Sequence, residues 1–326
     1  MKRTIKKMIA ICLAAALALA LSAAAYAGEA AFSIAALKGP TAMGLVRLMK
    51  DTDADAETAN SYKFLLAASA DEVTPKLIKG ELDFACVPAN LASVLANKTG
   101  GEIITLAVNT LGVLYIVENG DTISSIADLK GKTVAAAGKG STPEYALRYL
   151  LTENGIDPDE DVDIQWKSEH SECVAALATG AVSVALLPQP FVTVAQSKIA
   201  GLRMALDLND AWNALDNGSG LITGVIIGRK SAVEADPEAV EAFLEEYAAS
   251  VEWVNANTAE AAELIGEYGI VDAAVAEKAL PYCNIVCITG QEMQEKLSGY
   301  LDSLFTQNPK AVGENLPGEE FYVIFE

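Results

Sequence analysis

The sequence predicts an α/β protein with two lobes, each built on a mainly parallel sheet, that are joined by two crossover strands. The clearest unit is Gly131–Leu151, in which the apolar run Thr133–Ala137 is followed by a glycine-rich turn and then by a helix. That helix has Pro143 early and Glu144 in its first turn, as helix N-termini commonly do. A strand, a turn and a helix in this order are typical of an α/β fold.

The chain repeats this pattern at an offset of about one hundred residues. Phe32–Ala36 is another apolar run, and the segment LKGPT at 37–41 follows it and opens a helix. The pattern LxxGxL followed by a proline at 77–88 recurs as LxxGxV followed by a proline at 177–188. This offset is the size of a small domain, so it favours two lobes of like topology over a solenoid.

The remaining elements follow from apolar runs, caps and turns. Further strands are predicted at Phe64–Ala67, Asp83–Val87, Ile103–Val108, Gly112–Val117 and Leu221–Ile227, with a loop at 109–111. Helices are predicted at Ala42–Lys50, from the Ser69 cap to Lys79, from the Asp236 cap to about Asn255, at Ala259–Tyr268 and at Gln291–Phe305. We expect the first lobe at 29–110 and 224–326, the second lobe at 114–220, and hinge crossings near 111–113 and 221–223.

Residues 1–27 are typical of a secretory signal peptide. A basic start (Lys2, Arg3, Lys6, Lys7) precedes the apolar core Met8–Leu21, which is short for a membrane span, and Ala25-Tyr26-Ala27 forms a cleavage site. We therefore expect export to the periplasm or the cell surface. Cys12 lacks the small residues that precede a lipoprotein cysteine, so no lipid anchor is predicted.

Composition excludes several function classes. The 326 residues are 52% hydrophobic and 21% charged, as in globular proteins. The net charge is −21, and it becomes −25 without the signal peptide, which holds four basic and no acidic residues. A protein with this net negative charge is not expected to be attracted electrostatically to nucleic acid or to an anionic membrane.

The cysteines beyond the signal peptide are predicted to be thiols. Cys86 and Cys173 lie in apolar contexts that suit buried thiols, and an extended Asn284–Ile288 would hold Cys283 and Cys287 too far apart for a disulfide. No histidine is near them, so no metal site is predicted, and no cofactor either.

The turn Gly138–Thr142 is a candidate for binding a polar or anionic ligand, because backbone N–H groups, hydroxyls, a lysine and the helix dipole meet there. It is not a Walker loop, since Lys139 precedes Gly140-Ser141-Thr142, and it lacks the third glycine of a dinucleotide fingerprint. The alternative is an ordinary glycine turn between a strand and a helix.

Taken together, these features resemble an extracytoplasmic solute-binding protein of an ABC importer, and more narrowly the nitrate/sulfonate/taurine and thiamine-precursor-binding family. The resemblance rests on KGPT at 38–41, LxxGxLDxA at 77–85, IxDLKGKTV at 126–134 and DPEAVxxF at 236–243, and covers nearly the whole mature chain. It implies Rossmann-like lobes of the periplasmic-binding-protein-like II fold. It also implies that a small polar organic or anionic solute is bound between the lobes and delivered to an ABC permease.

The resemblance further implies that strand-end loops of both lobes close around the ligand by a hinge motion. The implied site residues are Lys38, Pro40, Thr41, Ser69 and Asn90 in the first lobe, and Lys139, Gly140, Ser141, Thr142, His170 and Gln189 in the second. Each has an alternative. Lys38 and Lys139 would then be solvated turn residues, Ser69 only a helix cap, and His170, between Glu169 and Glu172, a surface histidine.

Two other function classes remain open at this point. An enzyme of related fold is disfavoured, because the single histidine leaves few general bases and no Ser-His-Asp order is present. A surface sensor or adhesin that presents its ligand to a receptor is the other class. We expect a monomer that meets the membrane only through its permease. Oxyanions suit the lysines, hydroxyls and helix N-termini, whereas the loop carboxylates suit an amine or a pyrimidine-like ring.

Overall fold

A computed structural model describes residues 31–325, so the predicted signal peptide and Cys12 lie outside the described residues. The strands are β1 Ala31–Leu37, β2 Ser61–Ala67, β3 Phe84–Pro88, β4 Ile103–Leu111, β5 Leu114–Glu118, β6 Thr133–Ala137, β7 Asp163–Lys167, β8 Val184–Pro188, β9 Arg203–Asp207, β10 Ile222–Arg229 and β11 Ile285–Ile288.

The α-helices are α1 Pro40–Met43, α2 Val46–Asp53, α3 Ala70–Ile78, α4 Ala89–Thr99, α5 Thr142–Glu153, α6 His170–Ala178, α7 Phe191–Lys198, α8 Leu208–Asn213, α9 Lys230–Ala235, α10 Pro237–Ala256, α11 Thr258–Glu267, α12 Ala273–Ala279 and α13 Gly290–Gln307. Short 3-10 turns lie at Ile126–Leu129, Leu280–Tyr282, Pro309–Val312 and Glu319–Phe321.

The strands form two sheets. The first has the order β11-β4-β10-β3-β1-β2, and the second has the order β7-β6-β8-β5-β9. In each sheet four strands point the same way, and only β10 and β11 in the first and β5 in the second run against them. The predicted α/β fold with two mainly parallel sheets is therefore confirmed. We call the parts built on the two sheets the first and the second lobe.

The two connections between the sheets lie at the carboxyl ends of the parallel strands. β4 ends at Leu111, and β5 begins after two intervening residues at Leu114, which pairs with Pro188 at the end of β8. The chain returns through β10, which begins at Ile222 opposite Leu111. The carboxyl edges of both sheets therefore meet at these crossings, where open α/β sheets bind ligands.

The hydrophobic core is continuous between the lobes. One buried cluster includes Ala35 and Val87 of the first sheet, Val134 and Leu186 of the second, and Leu304 of α13. Helices cover the sheets, so central strands such as β3 (FACVP) and β8 (VALLP) are buried along nearly their whole length. The helix α13 thus packs between the two lobes.

Two predicted elements are wrong. Residues 109–111 are not a loop but the end of β4, because Thr110 pairs with Gly224 of β10 and with Ile285 of β11. The predicted helix Ala42–Lys50 is two helices, broken at Gly44. There Ser250 Oγ donates to the Gly44 carbonyl at 2.6 Å, which draws that carbonyl away from helical pairing.

Candidate functional site

Every predicted site residue lies where a parallel strand ends and a helix begins. The strands β1, β2, β3, β6, β7 and β8 are each followed within five residues by a helix. The N-termini of these helices carry unpaired backbone N–H groups and a partial positive charge, so this edge of the molecule favours polar and anionic groups.

The predicted site residues of the first lobe differ in whether their polar groups already form hydrogen bonds within the protein. Thr41 is buried, and its Oγ1 donates to the Leu37 carbonyl at 2.9 Å. Asn90 donates from Nδ2 to the Ala311 carbonyl at 3.3 Å. Ser69 is exposed at the N-cap of α3 and its side chain makes no cap bond, so its hydroxyl is available. Pro40, in contrast, is the first residue of α1.

Lys38 is exposed at the end of β1. Its Nζ lies 3.9 Å from the position that a Cβ on Gly269 would take, in the loop that follows α11. The side chain thus extends along the surface of its own lobe, and the alternative of a solvated turn residue stays open.

The 38–41 loop is held by a buried polar network. This network was not identified from the sequence. Asn109 and Thr110 are fully buried, and Asn109 Nδ2 donates to the Thr41 carbonyl at 3.1 Å while Thr110 Oγ1 donates to Asn109 Oδ1 at 3.0 Å. Gly224 leaves room for them, since a Cβ there would lie 2.5 Å from both Asn109 Oδ1 and Thr41 Cγ2. The signal in the sequence is a polar Asn-Thr pair at the end of a mostly apolar strand.

The turn Gly138–Thr142 is folded by its own hydrogen bonds. Gly138 and Gly140 have φ of 86° and 79°, values that glycine adopts without strain. Ser141 Oγ donates to the Gly138 carbonyl at 2.7 Å, and the Gly140 N–H donates to Glu144 Oε2 at 2.6 Å. Thr142 is 5% exposed, and its Oγ1 accepts from the Tyr300 hydroxyl at 3.4 Å. A hydroxyl has one donor and two acceptor positions, so Thr142 keeps its hydroxyl hydrogen for a ligand, whereas Ser141, which donates to Gly138, keeps only acceptor positions.

Lys139 is exposed and lines an open groove of about 580 Å³ beside the edge strand β7. Lys132 and Arg148 line the same groove, and Arg148 pairs with Asp159 at 2.6 Å. This placement leaves open the alternative of a solvated turn residue for Lys139.

His170 has an unsatisfied ring nitrogen. It is the first residue of α6, its ring centroid lies 5.2 Å from that of Phe191, and its buried Nδ1 has no hydrogen-bond partner among residues 31–325. Burial lowers the pKa of its imidazole, so the ring is neutral near pH 7. Because buried polar atoms are nearly always paired, this nitrogen is a candidate ligand contact.

Gln189 is 2% exposed and is engaged with the protein itself. Its Oε1 accepts from Thr193 Oγ1 at 3.0 Å, and its backbone N–H donates to the Val113 carbonyl at 3.0 Å, next to the first crossing. Its side chain therefore fixes the first turn of α7 relative to β8.

The acidic side chains of the second-lobe loops act as local caps. Glu144 accepts the Gly140 N–H, and Glu172 Oε2 accepts the Ser168 N–H at 3.2 Å. These two carboxylates thus have a structural role that does not require a cationic ligand. Within residues 31–325 no group of three or more His, Cys, Asp or Glu side chains is placed to hold a metal ion, and the four cysteines of that range are free.

Two facing sheet edges with helix N-termini on both sides define a two-lobed solute-binding protein. A family profile described as the periplasmic substrate-binding protein of phosphonate ABC transporters matches residues 55–251, more than half of the chain. The chain therefore belongs to this family, which consists of transporter binding proteins rather than enzymes. The predicted solute-binding component of an ABC importer is confirmed. Comparison with curated proteins gave no match.

Solved structures share the fold. An ABC transporter structure from Parabacteroides distasonis is 24% identical, with a TM-score of 0.77 over 91% of this chain and 99% of that one. The periplasmic aliphatic sulphonate binding protein SsuA from Escherichia coli is 17% identical, with a TM-score of 0.70 over 88% and 96%. The periplasmic nitrate-binding protein NrtA from Synechocystis PCC 6803 is 17% identical, with a TM-score of 0.54 over 76% and 69%.

No helix within residues 31–325 combines the length and the apolar character that crossing a membrane requires.

Proposed function

We propose that the protein binds a small oxoanionic solute, such as a phosphonate or a sulfonate, between its lobes and delivers it to an ABC permease. The observation that carries the proposal is the meeting of six helix N-termini at the facing carboxyl edges of the sheets. Family membership supports it, as do two structural relatives that are described as binding aliphatic sulphonate and nitrate.

An anion fits the loops better than an amine. Two of the loop carboxylates that could have held an amine, Glu144 and Glu172, are used as caps on their own loops. Because the chain carries a net charge of −21, its long-range field repels an anion. Affinity must then come from hydrogen bonds at short range, which the low dielectric of a closed cleft strengthens.

We propose that the eleven predicted residues line this cleft. Ser69, whose side chain makes no cap bond, His170, whose Nδ1 has no partner among residues 31–325, and Thr142, which keeps its hydroxyl hydrogen, are the main polar groups that we propose for the ligand. The proposed lobes remain 29–110 with 224–326, and 114–220, and they close on the ligand about the two crossings. We also propose that the protein is an exported monomer that meets the membrane through its permease.

A thermal-shift screen tests the ligand class. Its members are methylphosphonate, methanesulfonate, nitrate, phosphate, a thiamine pyrimidine and an amino acid. A ligand at 100 times its dissociation constant stabilises the folded state by about 2.7 kcal/mol, which raises the melting temperature by several degrees. Stabilisation by the oxoanions alone supports the proposal, whereas stabilisation by the pyrimidine or the amino acid alone contradicts it.

Two further measurements test binding without turnover. Small-angle scattering should show a smaller radius of gyration when the bound oxoanion is present. The ligand should also be recovered unchanged from a stoichiometric incubation, and formation of a product would indicate an enzyme instead.

A further inference from the structure

The C-terminal segment Gly290–Val312, which consists of α13 and the turn after it, connects helices of both lobes. At its end, the Val312 carbonyl accepts from Ser93 Oγ at 2.7 Å and from Asn97 Nδ2 at 2.9 Å. Both donors belong to α4, the helix that starts directly after β3. The segment is thus fixed to a first-lobe helix whose N-terminus lies at the candidate site.

The other side of the C-terminal segment is fixed to α5 in the second lobe. The Tyr300 hydroxyl donates to Thr142 Oγ1 at 3.4 Å, and Asn308 Nδ2 donates to the Tyr145 hydroxyl at 3.3 Å. Thr142 and Tyr145 are three residues apart, so they share one face of α5. Both hydrogen bonds act on the first turn of α5, which immediately follows the Gly138–Ser141 loop.

Close packing reinforces this contact. Tyr300 is fully buried, and its ring centroid lies 5.6 Å from that of Trp212 in α8. One residue earlier, Gly299 has no side chain, and a Cβ there would lie 2.8 Å from Cβ of Ser219. Ser219 Oγ in turn accepts from Trp212 Nε1 at 2.9 Å. The helix α13 therefore contacts the turn that leads into the return crossing.

We propose that Tyr300 is a positioning residue for ligand binding, which holds the Thr142 hydroxyl and the Gly138–Thr142 loop in place against α13. This inference rests on the proposed function. When Tyr300 donates, Thr142 keeps its own hydroxyl hydrogen for an acceptor such as an oxoanion oxygen. Tyr300 itself is buried behind Thr142 and acts through it.

Tyr300→Phe tests the inference, because it retains the ring and its packing and removes only the hydroxyl. Tyr268→Phe is the matched control, since it removes a hydroxyl that bonds Asp53 on the surface of the first lobe. Calorimetry with methylphosphonate and methanesulfonate should show binding about three- to tenfold weaker in Tyr300→Phe, the effect of losing one hydrogen bond. Binding by Tyr268→Phe should equal that of the wild type.

A double-mutant cycle with Thr142→Val shows whether Tyr300 acts through Thr142. If it does, Tyr300→Phe weakens binding in the wild type and has no further effect once Thr142 is valine. Equal effects of Tyr300→Phe in both backgrounds, or no effect in either, would overturn the inference.

Hydrogen exchange without ligand separates this inference from the proposed function. Amides of residues 138–146 should exchange faster in Tyr300→Phe than in Tyr268→Phe, because the first turn of α5 loses one of its two ties to α13. Unchanged exchange there overturns the role of Tyr300 even if oxoanions bind. A wild-type protein that binds neither probe refutes the proposed ligand class, and the exchange result still decides the inference about Tyr300.

Discussion

Substituting Gly224 by alanine should destabilise the protein and disturb the candidate site, because this glycine lies where the return crossing meets the 38–41 loop. A Cβ at 224 would lie 2.5 Å from Asn109 Oδ1, 2.5 Å from Thr41 Cγ2 and 3.2 Å from Thr110 Oγ1. All three neighbours are buried, so none can swing into solvent.

The magnitude has two parts. Overpacking of a buried position costs about 1–3 kcal/mol, and a strained or lost Asn109–Thr41 hydrogen bond adds about 0.5–1.5 kcal/mol. The sum is about 1.5–4.5 kcal/mol. Because the unfolding entropy grows with chain length, 1 kcal/mol shifts the melting temperature of a chain of this size by about 1.5–2 °C, so it should fall by roughly 2–9 °C. Oxoanion binding should weaken as well, because Thr41 shifts.

Gly220→Ala is the matched control on the same segment. No atom lies within 4 Å of the Cβ that it would add, and its φ is not positive. Its melting temperature should stay close to that of the wild type. Thermal and urea unfolding of both variants measure the difference. If Gly224→Ala unfolds at the same temperature as Gly220→Ala, the packing argument for the crossing is wrong.

Two further outcomes are expected. Ser141→Ala combined with Thr142→Val should weaken oxoanion binding about ten- to a hundredfold, since each hydrogen bond to a charged ligand contributes about 1.5–3 kcal/mol. An unchanged dissociation constant in calorimetry would indicate that the main polar contacts lie at Lys38–Thr41 instead. His170, the single histidine of the chain, should titrate by NMR below its ordinary pKa of about 6.5, because burial lowers the pKa of its imidazole. The neutral ring then contributes fully to the free energy of unfolding above pH ~6.5, and this contribution is lost as the pH falls through the folded-state pKa. The stability of His170→Gln should therefore fall less steeply between pH 7 and 5 than that of the wild type. A titration midpoint of His170 at or above pH ~6.5 would contradict this.

The parts of the fold that depend on local signals could be predicted from the sequence. Thr133–Ala137 is predicted with the bounds that β6 has, because an apolar run ends at a glycine turn and a capped helix. The end of β4 could not be predicted in this way. Asn109-Thr110 looks like a loop by composition, and its strand partners Gly224 and Ile285 lie more than one hundred residues away.

In the candidate site, too, only the features that depend on local signals could be predicted from the sequence. Its loops could be located, since each follows a recognisable strand, but the partners of their side chains are set by tertiary contacts. Thr142 faces Tyr300, which is 158 residues away, and no spacing rule connects the two. Glu144, at the third position of α5, caps the nearby Gly140 N–H, which is a local interaction. From the sequence alone, however, the Glu144 side chain could equally have faced a ligand.

The contacts also explain how loops can serve as a defined binding site in this fold. The 38–41 loop lies over a buried network at the crossing, through the bond from Asn109 to the Thr41 carbonyl, and the Gly138–Thr142 loop lies against Tyr300 of the C-terminal segment. Each loop is thus held by an element of regular structure rather than by its own turn alone. A binding site keeps its geometry only when its residues are locked by such support. The ligand contacts would then form with loops that are already ordered, so that binding avoids the entropy cost of ordering loose loops.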